Sequence, residues 1–265
     1  MGNFLNLFNH QNAVLGMIHL RALPATPFYD GDDQKIIDQA LRELEIYNRA
    51  GLDGIMIENM HDIPYLKETV GPEIIAFMTK AAVAIRANTD KPCGLQVLAG
   101  ANKAALAVAK AAKFEFIRAE GFVFAHVGDE GIIESNAGEL LRYRKKIDAE
   151  NVFVLTDIKK KHSAHAITSD VSIEETAKAA EFFASDGLII TGNATGQQAS
   201  SDEVGRVRRS TNLPVLIGSG ITIDNAAQYF GISDAFIVGS WFKKDGYWKN
   251  ALDKTRVEAF MKAVR

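Results

Sequence analysis

The chain has 265 residues, 47% of them hydrophobic, enough to bury a large core in one domain and a length that suits a single α/β barrel. A formal net charge of −3 argues against general binding of nucleic acid or anionic membrane, and the lone Cys93 excludes an intrachain disulfide and thiolate-cluster zinc sites. No apolar run approaches the ~20 residues that a membrane span requires. The opening Met1-Gly-Asn-Phe-Leu-Asn-Leu-Phe lacks the basic start and continuous apolar stretch of a secretory signal. A cytoplasmic protein is expected, with no membrane span and no nucleic-acid partner.

In chain order, residues 1–12 read as a short segment whose Phe4, Leu5 and Phe8 plug the base of a barrel. Apolar, β-rich runs then alternate with longer segments at helical period. Strands are predicted at Val14–Leu20, Gly54–Glu58, Gly94–Ala99, Phe116–Ala119, Val152–Asp157, Gly187–Thr191, Val215–Gly218 and Phe236–Gly239. Helices are predicted at Asp33–Ala50, Pro72–Ala87, Asn102–Ala112, Ala137–Ala149, Ser172–Ala184, Ser201–Ser210, Thr222–Phe230 and Val257–Val264. Pro72 suits a first helical position, Ser172 with Glu175 forms a capping box, and Gly51 stops the first helix. Eight strand–helix units favour a closed (β/α)8 TIM barrel, one domain over residues 1–265, over an open doubly wound sheet. The open sheet is disfavoured because the first strand ends in Met-Ile-His-Leu and the glycine-rich turns come last.

Polar residues at the C-terminal ends of the strands ring one mouth of such a barrel. His19 is either a functional imidazole or a structural one at the rim. Glu58 is a base with a raised pKa, a metal ligand, or the partner of Arg118 in a buried ion pair. Arg118 and Glu120 share one side of their strand, so Arg118 clamps a substrate anion or pairs with Glu120. Asn59, Gln96, Glu120, Thr191 and Asn193 are candidates to bind substrate.

The richest local cluster is Asp157-Ile-Lys-Lys-Lys161-His162-Ser-Ala-His165. A lysine here is a Schiff-base nucleophile if burial lowers its pKa, and otherwise part of a solvated basic loop. Asp157, His162 and His165 could share a divalent metal if the segment is helical; no other cofactor is suggested. The loop Thr191-Gly192-Asn-Ala-Thr-Gly196 either closes over a ligand or is a plain surface turn.

The strongest signal is a pair of glycine turns, Gly218-Ser219-Gly220 and Gly239-Ser240, on the last two strands. Such turns let the backbone approach a ligand and point N–H groups at a phosphate. A helix starting near Thr222 would add its dipole to the first turn, and Lys243 or Lys244 would add charge to the second. Gly192 lies beside them, and the plain alternative is two close-packed turns with no ligand.

Gly16-Met-Ile-His19-Leu with Leu23-Pro24, Tyr143-Arg144, Lys161-His162, Thr191-Gly192 with Thr195-Gly196, Gly218-Ser-Gly220 and Val238-Gly239 resemble the BtpA/SgcQ family. The resemblance runs from about residue 12 to residue 264 and implies a TIM barrel of the ribulose-phosphate-binding type. The family takes its name from a cyanobacterial factor that supports photosystem I accumulation, and no reaction comes with it. The chain departs from the family pattern at Arg21 and Ala25, where Pro and Gly are usual, and near Ser135, where Gly is usual. It also reads Asp157-Ile-Lys-Lys-Lys161-His162 in place of Asp-Val-x-Val-Lys-His.

The expected function is that of an enzyme acting on a small phosphorylated metabolite as an isomerase, epimerase or aldolase-like lyase. Gly192, Gly218, Ser219, Gly220, Gly239 and Ser240 would hold the phosphate. His19, Glu58 or Asp157 would move the proton, Arg118 or a lysine such as Lys161 would stabilise an enediolate or form an imine, and His162 beside Lys161 is a further catalytic candidate. The alternatives are a metal-dependent hydrolase or lyase built on Asp157, His162 and His165, and a non-catalytic assembly or stability factor. Self-association into a homo-oligomer is expected in any case.

Overall fold

The computed structural model describes residues 3–192 and 194–265. Eight parallel strands close into a barrel: β1 (Ala13–His19), β2 (Gly54–Glu58), β3 (Cys93–Gln96), β4 (Phe116–Ala119), β7 (Phe153–Ile158), β9 (Gly187–Ile190), β10 (Val215–Ile217) and β11 (Ala235–Val238). The helices α1 (Asp33–Ala50), α2 (Pro72–Arg86), α3 (Asn102–Ala112), α4 (Ala137–Lys146), α5 (Ile173–Phe182), α6 (Ser201–Ser210) and α7 (Lys254–Val264) follow in alternation. This is a TIM barrel, and the strands are apolar because both of their faces are buried.

Alternation along each strand sorts the side chains into two sets. Leu15, Met17, Met56, Phe116, Leu155, Ile189, Leu216 and Ile237 point inward and fill the lumen, and Phe4 packs beneath them, with its ring centroid 5.3 Å from that of Phe116. Val14, Ile18, Ile55, Ile57, Ile117 and Val154 point outward against Ile36, Leu44, Tyr47, Met78 and Leu106 of the helices. The next inward position after the apolar layer is the strand end, so His19, Glu58, Gln96, Arg118 and Asp157 stand on top of a dry core. Register places His19 beside Glu58, and Glu58 beside Gln96.

Local chemistry sets the helix ends. Asp32 accepts a hydrogen bond from the Lys35 N–H at the start of α1, and Gly51 ends it at φ 75°. Ser172 and Glu175 form the expected capping box on α5. At α7 the helix starts three residues before the predicted Val257, because the Asp253 carboxylate caps the N–H groups of Thr255 and Arg256. The predicted helix at Thr222–Phe230 is not there; only a short 3-10 turn, Ala226–Tyr229, forms. Asn225 prevents it. Its side-chain oxygen accepts from the Thr222 N–H at 2.8 Å and its amide donates to the Gly220 carbonyl at 2.8 Å, a local turn that competes with helical bonding.

Two long loops at the C-terminal mouth are tied together. β5 (His126–Gly128) and β6 (Gly131–Ile133) form a hairpin after β4, and β8 (Ser163–Ala164), after β7, pairs with β5. The lysine-rich segment is therefore anchored as part of a small antiparallel sheet. Among the described residues, no helix is long and apolar enough to cross a membrane.

Candidate functional site

The polar strand ends resolve into paired charges. His19 Nε2 lies 3.2 Å from Glu58 Oε1, and its Nδ1 faces the Trp248 carbonyl at 3.4 Å. Arg118 is held by Asp157 through both carboxylate oxygens, each at 2.7 Å, a bidentate pair buried at the centre of the mouth. Lys160 donates to Glu120 at 3.0 Å, and Glu120 also accepts from Gln96 at 2.7 Å. The two pairings considered for Arg118, with Glu58 or with Glu120, are thus both replaced by Asp157.

Lys161 differs from its neighbours. Its backbone N–H is fixed by Thr191 Oγ1 at 3.0 Å, and its ammonium reaches Thr195 Oγ1 at 3.4 Å. Among the described residues it forms no ion pair with a carboxylate. Burial pushes its pKa down, and the Arg118 charge adds to that effect. Lys159 does not join it in the cleft. The chain turns at φ 49°, and the Lys159 side chain donates to the Thr168 carbonyl.

A cleft with about 80 Å³ of solvent-accessible volume opens over these groups, lined by His19, Glu58, Arg118 and Lys161 on one side. Gly218, Ser219, Gly220, Gly239 and Ser240 line the other. A Cβ on Gly239 would stand 3.0 Å from His19 Nε2, which measures how closely the second glycine turn approaches the imidazole. At Gly220 φ is +68°, and a Cβ there would overlap the backbone of Gln197. The Ser219 hydroxyl accepts from the Gly196 N–H at 3.3 Å, so the loop after β9 leans on the first glycine turn.

Several expectations change. No helix dipole backs the Gly218–Gly220 turn, because the helix predicted after it does not form. Lys243 turns away and pairs with Glu43 of α1 at 2.6 Å, and Lys244 is exposed. Gly192 lies outside the cleft lining, and the Gln197 carbonyl packs against it. Asn59 spends its amide on Asp62 and the Leu98 N–H, both at 2.8 Å, so it braces a loop. Asn193 lies outside the described residues. Asp157, His162 and His165 do not converge: Asp157 holds Arg118, His162 Nε2 accepts from the Thr195 N–H at 3.0 Å, and His165 Nε2 meets the Lys160 carbonyl at 3.0 Å. The segment is a strand and turn, not a helix, and no group of three metal-ligating side chains occurs among the described residues.

Trp248 escaped the sequence reading because it lies in an irregular loop. Its carbonyl faces His19 and its ring packs on His61 at 5.0 Å between centroids. His126 was missed because it starts β5, in the hairpin inserted after β4 and outside the eight barrel strands. It is buried beside His165, and burial, with the Lys160 charge, lowers its pKa to about 4.

Electrostatics also reverses the reading of Glu58. Burial pushes its carboxyl up, but the hydrogen bond and charge of His19, helped by Arg118 and Lys161, outweigh it and hold the pKa at about 2. The unfolded value is near 4.5. The ionised carboxylate therefore stabilises the fold above about pH 4.5, and the contribution, on the order of 3 kcal/mol, is lost as pH falls toward about 2. Asp62 carries the opposite sign, since burial raises it to about 6 and favours the fold on the acid side. Glu58→Gln is expected to flatten the fall of Tm between about pH 5 and 2. Acid limbs of equal slope in the two proteins, measured by calorimetry, would contradict the pairing.

The sequence profile of the BtpA family matches residues 10–265. A Caenorhabditis elegans protein named as mitochondrial is 49% identical, over 95% of this chain and 92% of its own length. The photosystem I biogenesis protein BtpA of Synechocystis is 33% identical, over 97% of this chain and 89% of its own length. Among solved structures, M. tuberculosis tryptophan synthase aligns with a TM-score of 0.61 at 16% identity, over 100% of this chain and 99% of that one. Pyrococcus furiosus thiamine phosphate pyrophosphorylase aligns with 0.58 at 14% identity, covering 99% and 98%. The distant structural neighbours share the fold alone, whereas the sequence match spans nearly the whole chain: this chain, a TIM barrel, belongs to the BtpA family.

Proposed function

We propose that this chain is an enzyme acting at a carbonyl of a small phosphorylated metabolite, as an isomerase, epimerase or aldolase-like lyase. The observation that carries the reading is the position of Lys161. Its ammonium lines the same cleft as the two glycine turns and the His19–Glu58 pair, and it has no carboxylate partner among the described residues. The glycine turns bind the phosphate through backbone N–H groups, and Arg118, fixed by Asp157, adds positive charge beside them. Lys161, with its lowered pKa, loses its proton more readily and attacks the carbonyl, expelling water to give an imine. The electron-withdrawing iminium then acidifies the adjacent C–H, and the His19–Glu58 pair carries the proton.

Tests of this chemistry use purified protein with ribulose 5-phosphate or dihydroxyacetone phosphate. Borohydride is expected to trap a covalent adduct on Lys161, visible by mass spectrometry, and the C–H next to the carbonyl is expected to exchange in deuterium oxide. Lys161→Met removes the adduct and slows exchange by about 10²–10⁴-fold, while the thermal shift with the phosphate ester is retained. Absence of both adduct and exchange across a panel of ketose and aldose phosphates would overturn the reading. A second reading, an assembly factor without turnover, is favoured by the name of the Synechocystis relative. It expects phosphate-ester binding with neither adduct nor exchange.

A further inference from the structure

A second cavity, of about 670 Å³, lies against the first at the mouth of the barrel. Its size suits a small metabolite. The two share His19, which lines both. The loop after β11 contributes Gly246 to the first and Lys249 to the second. Three residues of chain span at most about 11 Å, so the two spaces lie within the length of one small molecule. Trp248, packed on His61, sits between them in sequence.

The lining of the second cavity is cationic. Arg21, Arg42, Lys243 and Lys249 stand against Asp30 and Glu43. Asp30 is already held by Arg21 and Lys35, and Glu43 by Lys243. Among the described residues, Arg42 and Lys249 have no carboxylate partner. Burial and neighbouring charges lower the His61 pKa to about 4, so this imidazole is neutral near pH 7 and adds no charge of its own. Gln39 Oε1 is buried with no hydrogen-bond partner among the described residues, an acceptor that a hydroxyl group would satisfy.

We propose that this cavity takes the far end of the phosphorylated ligand and that this end is also anionic. The substrate is then a short hydroxylated carbon chain with a phosphate at one terminus and a carboxylate or second phosphate at the other. The inference rests on the phosphate reading of the glycine turns, and adds Arg42 and Lys249 as the residues that select for the second anion.

Isothermal titration with ribose 5-phosphate, 6-phosphogluconate and fructose 1,6-bisphosphate tests it. At least one doubly anionic probe is expected to bind about tenfold or more tightly than ribose 5-phosphate. The combined Arg42→Ala and Lys249→Ala variant is expected to lose that gain and to leave ribose 5-phosphate within about twofold. Equal affinities for all three probes, or a gain that survives in the double variant, would overturn the proposal while leaving the phosphate grip intact. Failure of the grip itself shows differently: no probe binds, or Gly220→Asp leaves every affinity unchanged.

Discussion

Replacement of Arg118 by alanine is expected to cost about 3–5 kcal/mol of stability, a fall in Tm of about 10 °C, because it strands a buried carboxylate. Asp157 is 7% exposed and gives both of its oxygens to the guanidinium. Burial works against the Arg118 charge, and Asp157 overrides it, raising the Arg118 pKa. The cost comes mainly from the partner left behind, so it is largely recovered when Asp157→Leu is combined with Arg118→Met. The double variant regains stability without regaining ligand affinity, since the cleft has lost its fixed cation. Arg118→Lys also fails to substitute, because one ammonium cannot reproduce the bidentate fork. Thermal or urea denaturation decides the matter: a loss under about 1 kcal/mol for Arg118→Ala would mean that the pair is not dry.

Gly220→Ala is expected to weaken phosphate-ester binding by about 100-fold or more. Two effects combine. The residue has φ +68°, a conformation that costs an L side chain about 1–2 kcal/mol. A Cβ would also overlap the Gln197 backbone, which cannot rotate away as a side chain end would. Relief requires the loop after β9 to move, and that loop places Thr195 and Gly196 in the cleft. Loss of two charge-assisted N–H contacts to a phosphate, at about 1.5–3 kcal/mol each, accounts for the size of the effect. Gly231→Ala is the control. It has the same strain at φ +80° but nothing within 4 Å, so it is expected to cost about 1 kcal/mol and leave binding unchanged. Equal binding by Gly220→Ala and Gly231→Ala would remove the special role of the turn.

The barrel was legible because its strands are buried on both faces and read as short unbroken apolar runs, such as Gly187-Leu-Ile-Ile190. The ring of polar strand ends was legible for a related reason: alternation carries Met17 to His19, Met56 to Glu58 and Leu155 to Asp157 without knowledge of the partners. The partners were not legible. Arg118 has three carboxylates nearby, Asp157, Glu58 and Glu120, and the choice of Asp157 depends on β4 pairing with β7 across an inserted hairpin. Lys243 follows the second glycine turn closely in sequence, yet its charge is claimed by Glu43 on the first helix. Asn225 reads as an ordinary residue inside a helical pattern, and only its bonds to Thr222 and Gly220 reveal a turn. Ala25 takes φ +68°, where the family pattern carries Gly, so this departure keeps the backbone and accepts its strain.

A crystal structure of the protein soaked with ribose 5-phosphate bears most directly on the phosphate site. The phosphate is expected between the Gly218–Gly220 and Gly239–Ser240 turns, within hydrogen-bonding distance of their backbone N–H groups, with the sugar carbonyl carbon facing Lys161. A phosphate seated at Arg42 and Lys249 instead, or a cleft left empty at saturating ligand, would contradict it.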